Sequence, residues 1–252
     1  MRHQLLPWLA LMGLAACSTR EAPPGTLEDL EMTSANTGET YHLQIFIPDA
    51  LEDETDATVV YIFDGPENQG IVLDQYRQAL EGGAEPAVLA LIPGTNRVTD
   101  FTPTPNERGT QGGGQAEFMA FVMEEFAPVV EENGAGGDPS RRITFGHSLG
   151  GLLSATFWYD QPFATRAGIA SPSMWWDGGL FFSKLDEAPL NPGPIVVACG
   201  EEEPMGMYVY TDDFSRQMRQ DYGIDVTYDC FKNMTHQRAL EPALALTFQE
   251  LL

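Results

Sequence analysis

"RITFGHSLGGLLSATFWY", Arg142 to Tyr159, passes from a short apolar run to a small-residue helical pattern through one serine set among glycines. The opening residues have the β-branched and aromatic character of a buried strand, and Leu149 onward suits a buried helix. Gly146 and Gly150 bracket Ser148 in a G-x-S-x-G pattern. In a strand-to-helix context this predicts a sharp turn that strains the serine backbone. The hydroxyl then stands at a helix N-terminus, where free N–H groups and the helix dipole favour negative charge. The competing reading is a helix-capping serine, and the runs on both sides argue against it.

Outward from this turn, short apolar runs alternate with helical stretches. Tyr41–Pro48 alternates as a peripheral strand, and Asp225–Phe231 alternates near the end of the chain. Ala57–Phe63, Ala87–Ile92, Arg142–Gly146, Ala167–Ser171 and Pro194–Gly200 are continuous apolar runs, as expected of parallel strands covered on both faces. Helical patterns lie at Ile71–Glu81, Gln115–Glu132, Leu149–Tyr159, Tyr208–Asp221 and His236–Leu252. The alternation predicts an α/β fold, a mostly parallel central sheet with helices on both faces. Only a short segment separates the strands ending near Ala170 and starting at Pro194, which leaves no room for a large lid domain. Ligands of such sheets bind beyond the carboxyl ends of the strands. The long Gly94–Gly114 segment, rich in Gly, Thr and Pro, reads as a functional loop in that position.

The first sixteen residues, a positive start and then an apolar stretch too short to span a bilayer, read as a secretory signal. "LAAC" resembles a lipoprotein lipobox, making Cys17 the expected lipidated N-terminus and membrane attachment point. Ser18 after it hints at the outer membrane, on its periplasmic face. Residues 17–38 are read as a polar tether and 39–252 as the folded domain. The chain has 37 Asp and Glu against 13 Lys and Arg, a formal net charge of −24, with Lys184 and Lys232 its only lysines. That surface excludes nucleic acid as a partner. Cys199 and Cys230 sit near the ends of two runs placed on neighbouring strands. A disulfide and a pair of buried thiols both fit.

A serine nucleophile needs a base, and histidine titrates near neutrality. His3 leaves with the signal, His42 lies on the peripheral strand, and His147 is in the turn itself, directed away from the serine. His236, after the last strand, is the expected base. The acid that orients it should follow the strand ending at Gly200. Within "GEEEP", Glu203 is preferred over Glu201 and Glu202, with Asp177 a further alternative. Of the two oxyanion donors, Leu149 N–H follows the nucleophile. The second comes from "DGPEN", where Pro66 has no N–H, leaving Gly65, the preferred donor, or Glu67. Arg97 is read either as a dock for a substrate carboxylate or catecholate, or as a partner of Asp100. Trp175 and Trp176 are read as lining an acyl or aromatic pocket, with core packing the alternative for at least one.

These pieces resemble the α/β-hydrolases of the Putative esterase family, which includes enterobactin esterases and other siderophore hydrolases. The likeness runs through "YIFDG" (Tyr61–Gly65), "RVTDFTP" (Arg97–Pro103), "RRITFGHSLGGLLSA" (Arg141–Ala155), "ASPSMWWD" (Ala170–Asp177), "GEEEP" (Gly200–Pro204) and "THQRAL" (Thr235–Leu240). It implies an α/β-hydrolase fold and a Ser–His esterase, with Ser148 and His236 on the catalytic positions. Pro66 departs from the pattern, and so does the acidity, since ferric catecholates are anionic and only Arg97 and Arg108 lie in the loop over the site. The expected protein is a monomeric, lipid-anchored carboxylic-ester hydrolase acting on a small-molecule ester, with no metal or organic cofactor. Siderophore trilactones, then acetyl or feruloyl esters of polysaccharides, are the alternative substrates. A catalytically silent binding lipoprotein is the rival outside enzymes.

Overall fold

The computed structural model describes residues 21–51, 57–106, 108–134, 141–185, 187–190, 192–203 and 206–252. The expected signal segment and the lipidation site at Cys17 lie outside these residues. Eight strands form one sheet: β1 (Gly25–Thr33), β2 (Thr40–Pro48), β3 (Thr58–Phe63), β4 (Ala87–Ile92), β5 (Arg142–His147), β6 (Arg166–Ala170), β7 (Ile195–Gly200) and β8 (Val226–Phe231). Their spatial order is β1-β2-β4-β3-β5-β6-β7-β8. From β4 to β8 the strands run parallel, while β1 and β2 add an antiparallel edge.

Two kinds of residue periodicity explain the layers. Along β3, Val59, Tyr61 and Phe63 point to one face and Val60 and Ile62 to the other, and all five are buried. The second face is covered by α1 (Gln69–Glu81) and α8 (Leu240–Leu251), through Val72, Leu73, Tyr76, Leu244 and Phe248. The first is covered by the stretch α3 (Gln115–Ala120), a π-helical Phe121–Phe126 and α4 (Ala127–Gly134), then by α5 (Leu149–Asp160) and α7 (Met207–Asp221). Every residue of α5 from Leu149 to Tyr159 is buried, as the absence of a polar stripe in its sequence requires. The chain leaves β3 toward β4 on one side and returns to β5 on the other, so the sheet's switch point lies between β3 and β5. The crevice of such a sheet opens there.

One boundary needs correction. Residues 25–33, assigned to the tether, form β1, paired with β2 over nine register positions from Gly25↔Pro48 to Thr33↔Thr40. "GTLEDLEMT" is polar because β1 is an edge strand whose outer side faces water, and only Leu27, Leu30 and Met32 touch the core. Ser34 Oγ–H, Ala35 N–H and Asn36 N–H then converge on the Glu125 carboxylate, fixing the connection to β2. The folded domain thus starts at about Gly25. Among the described residues no helix is long and apolar enough to cross a membrane. Cys199 and Cys230, register partners on β7 and β8, are joined by a disulfide, which settles the two readings of this pair.

Candidate active site

Ser148 occupies the turn between β5 and α5 with φ 63° and ψ −119°, a left-handed backbone that costs a non-glycine residue energy. The turn closes because α5 lies almost on top of β5. A Cβ on Gly146 would meet Gly150 O at 2.0 Å, and one on Gly151 would meet Ala170 O at 2.6 Å. At Gly150 itself the nearest atom is at 3.4 Å, an ordinary contact, so Gly146 rather than Gly150 carries the steric demand of the pattern. Ser148 N–H donates to Ala170 O at 3.0 Å, and Ser148 O accepts from Ser173 N–H at 3.0 Å. The hydroxyl is 3.3 Å from Ser173 Oγ. Among the described residues it makes no hydrogen bond to His236.

His236 comes from the segment after β8. That segment must cross the ends of β7 and β6 to approach β5, about 14 Å at normal strand spacing. Its course over β7 leaves no room for a side chain: a Cβ on Gly200 would sit 2.3 Å from Met234 O. Glu202 N–H donates to that same carbonyl at 3.0 Å. His236 then opens a 3-10 turn, Gln237–Ala239, that runs into α8.

Glu203, three residues past β7, is the buried member of its acidic run, while Glu201, Glu202 and Asp177 are exposed. Its Oε1 accepts from Gly200 N–H at 2.8 Å and from the Ser171 hydroxyl. Its Oε2 faces His236 Nδ1 at 3.8 Å, and neither atom has another partner. That separation is within ion-pair range once the ring is protonated, and too long for a hydrogen bond. Burial alone would push the Glu203 carboxyl up. The His236 ring, the Ser171 hydroxyl and the Gly200 amide outweigh it and hold the group below the usual carboxylate range.

Leu149 N–H, first of α5, has no intrahelical acceptor and is free to bind an anion. Gly65 does not fill the second expected position. Its N–H donates to Ile92 O at 3.1 Å, part of the packing that brings the β3 end against β4, so it is already engaged. Glu67 N–H, in the first turn of the 3-10 helix Pro66–Asn68, is the alternative donor read for that loop.

Arg97 lies on a single helical turn, α2 (Arg97–Asp100), within the expected loop. Its partner is Asp64 rather than Asp100. Nε and Nη2 grip the two Asp64 oxygens at 2.9 and 2.8 Å, and Nη2 lies 3.5 Å from His147 O. With its fork occupied, Arg97 holds the loop against the serine turn and has little left for substrate. Asp100 points instead to the buried Tyr41 hydroxyl at 3.3 Å, and burial raises its carboxyl to about 7. Trp175 and Trp176 line a cleft of about 420 Å³ with Pro105, Asn106, Arg108 and Thr110. Trp176 also donates to Thr104 O at 3.1 Å and packs on the core, which is the packing alternative read for it. Among the described residues, no group of three or more His, Cys, Asp or Glu could hold a metal. His42 is exposed and pairs with Glu31 at 3.3 Å on the sheet edge, away from the site. The sequence reading sets His147 aside as directed away from the serine and gives Ser173, inside "ASPSMWWD", no role of its own; the fold brings His147 to His236 and Ser173 to Ser148.

A strained serine at a strand–helix turn, beside the switch point of a mostly parallel sheet, defines an α/β-hydrolase. The family described as Putative esterase matches residues 34–206, and the chain belongs to it. Ferri-bacillibactin esterase BesA of Bacillus subtilis is 30% identical over 211 residues, 71% of each chain. Among solved structures, the BES protein from Bacillus cereus superimposes with a TM-score of 0.78 at 21% identity, over 99% of this chain and 97% of that one. An IroE-like serine hydrolase from Shewanella oneidensis gives 0.79 at 20% identity, over 90% and 80%. The protein is a carboxylic-ester hydrolase.

Proposed function

We propose that the protein is a serine esterase of the cell envelope, anchored through Cys17 and acting on ester-linked siderophores by acyl-enzyme chemistry. The observation that carries the mechanism is the left-handed Ser148 at the head of α5, with the His236–Glu203 pair at the ends of nearby strands. In this reading Ser148 Oγ leaves Ser173, gives its proton to His236 and bonds to the ester carbonyl carbon. The oxyanion is received by Leu149 N–H and Glu67 N–H, each donor of this kind being worth about 2.7–4 kcal/mol. His236, oriented by Glu203, returns the proton to the departing alkoxide. Water then repeats the sequence on the acyl-enzyme, releasing the acid and restoring Ser148.

The substrate class is supported by the relatives' names, among them a ferri-bacillibactin esterase, and by the cleft. The cleft holds two tryptophans that suit catechol rings and Arg108 for their negative charge, and Trp176 N–H ties it to Ser173 O at 3.0 Å. The strongly acidic surface favours the iron-free or partly neutralised ester over a highly anionic ferric complex.

Ser148→Ala and His236→Ala are each expected to reduce turnover of p-nitrophenyl acetate and of iron-free and ferric trilactones by about 10⁴-fold or more. Unchanged turnover in Ser148→Ala would end the serine mechanism. Cleavage of simple acetates with no trilactone hydrolysis would end the substrate assignment.

A further inference from the structure

His147 is the last residue of β5, half-buried, and adjacent to the candidate nucleophile, yet its side chain plays no part in the acyl-transfer steps above. Its Nε2 is 2.8 Å from the backbone carbonyl of His236. Its ring lies against the His236 ring, centroids 4.4 Å apart and planes inclined at 39°. A carbonyl oxygen can only accept, so Nε2 carries a proton and donates it to the His236 carbonyl.

The crossing segment from β8 explains why such a contact matters. It is tied over β7 by the Glu202 amide on Met234 O. Beyond that it has to deliver an imidazole to a serine two strands further on. At that far end the His147 side chain supplies a tie from the serine's own strand. It fixes the backbone of His236, while Glu203 meets the ring of the same residue on its Nδ1 edge.

We infer that His147 is a positioning residue for His236, its Nε2–H fastening the His236 carbonyl and its ring bracing the imidazole so that base and nucleophile stay in register. The inference rests on the Ser148–His236 reading above. Burial first, and the neighbouring His236 ring after it, push the His147 imidazole down to about 4, so at neutral pH it is an uncharged donor.

The test compares His147→Phe, which keeps a flat ring and loses the donor, with His147→Gln, which places an amide N–H near the position of Nε2. Kinetics use p-nitrophenyl acetate and the full mature chain, with melting temperatures recorded alongside. His147→Phe is expected to lower kcat about 10–100-fold, as a misplacement of about 1 Å does, with KM nearly unchanged. His147→Gln should recover most of that loss. Wild-type kcat in His147→Phe, or a Gln variant no better than Phe, would overturn the inference.

Should His147→Phe fail to fold, ¹⁵N spectra of the histidine side chains in the wild-type protein decide instead. An Nε2–H tautomer at position 147 that stays neutral at pH 5.5 is expected, and an Nδ1–H tautomer or a charged ring there overturns the proposal. Ser148→Ala, measured in parallel, separates the two failures. An active Ser148→Ala removes the serine–histidine reading and this inference with it. An inactive Ser148→Ala beside an unimpaired His147→Phe removes this inference alone.

Discussion

Two carboxylates, one facing a guanidinium and one an imidazole, sit on the same rim of the sheet and are built in opposite ways. Asp64 and Arg97, at the ends of β3 and β4, are closed by two hydrogen bonds, 2.8 and 2.9 Å long. Glu203 and His236, at the ends of β7 and β8, stand 3.8 Å apart, and the two facing atoms are buried with no other partner. Exposure follows the reverse order: the Arg97 and Asp64 side chains are 35% and 16% exposed, His236 and Glu203 13% and 0%. A closed pair on the surface has used its hydrogen-bonding capacity and acts as a clasp. An open pair in a dry setting keeps unspent capacity, which is expensive at rest and becomes useful when a charge forms on the imidazole. Hydrogen bonds of this kind are often long in the free enzyme and tighten in the complex.

The most severe way to break the contrast is Glu203→Gln. It keeps the shape and removes the charge that stabilises the imidazolium, so kcat should fall by about 10²–10⁴-fold while the melting temperature changes little. A drop of less than about threefold would mean that His236 is oriented without the carboxylate.

Arg97→Ala opens the clasp instead. It leaves Asp64 partly buried without its cation and frees the loop over the serine turn. The expected loss is about 1–2 kcal/mol of stability, read by urea unfolding, with kcat within about tenfold of wild type. If kcat collapsed while stability held, Arg97 would be a substrate contact and the contrast between the pairs would fail.

Asp100 sharpens the comparison with a third case, a buried carboxyl that has a hydroxyl partner and no cation among the described residues. Its value rises from 3.8 to about 7 on folding, so between those limits the folded chain holds a proton that the unfolded chain has released. Stability from this group is therefore present below about pH 4 and lost as the pH climbs to 7. In thermal melts the wild type should lose ground to Asp100→Asn across that window, with no effect on kcat. Parallel pH dependence of the two proteins would show that Asp100 ionises normally.

The elements read best were those whose residues answer to a single local requirement. The continuous apolar runs became the inner strands, because strands covered on both faces cannot afford polar positions. Gly146-x-Ser148 became the turn because no side chain fits between β5 and α5. β1 was missed for the converse reason. An edge strand is half solvated, and its polar sequence is indistinguishable from a tether until a partner strand is supplied. Gly65 was chosen as an oxyanion donor by order along the chain. Only the spatial neighbour, Ile92 O, reveals that its N–H is already committed.

By itself, then, the chain declared its strand–helix alternation, its strained serine, the histidine near its end and the acidic run after the strand ending at Gly200, since steric and titration demands are written in residue type and spacing. Which amides are free, which carboxylate a guanidinium grips, whether two thiols meet, and that His147 reaches across to His236 were decided only by folding. These depend on segments far apart in sequence arriving within about 3–4 Å of one another, the range over which hydrogen bonds and ion pairs act.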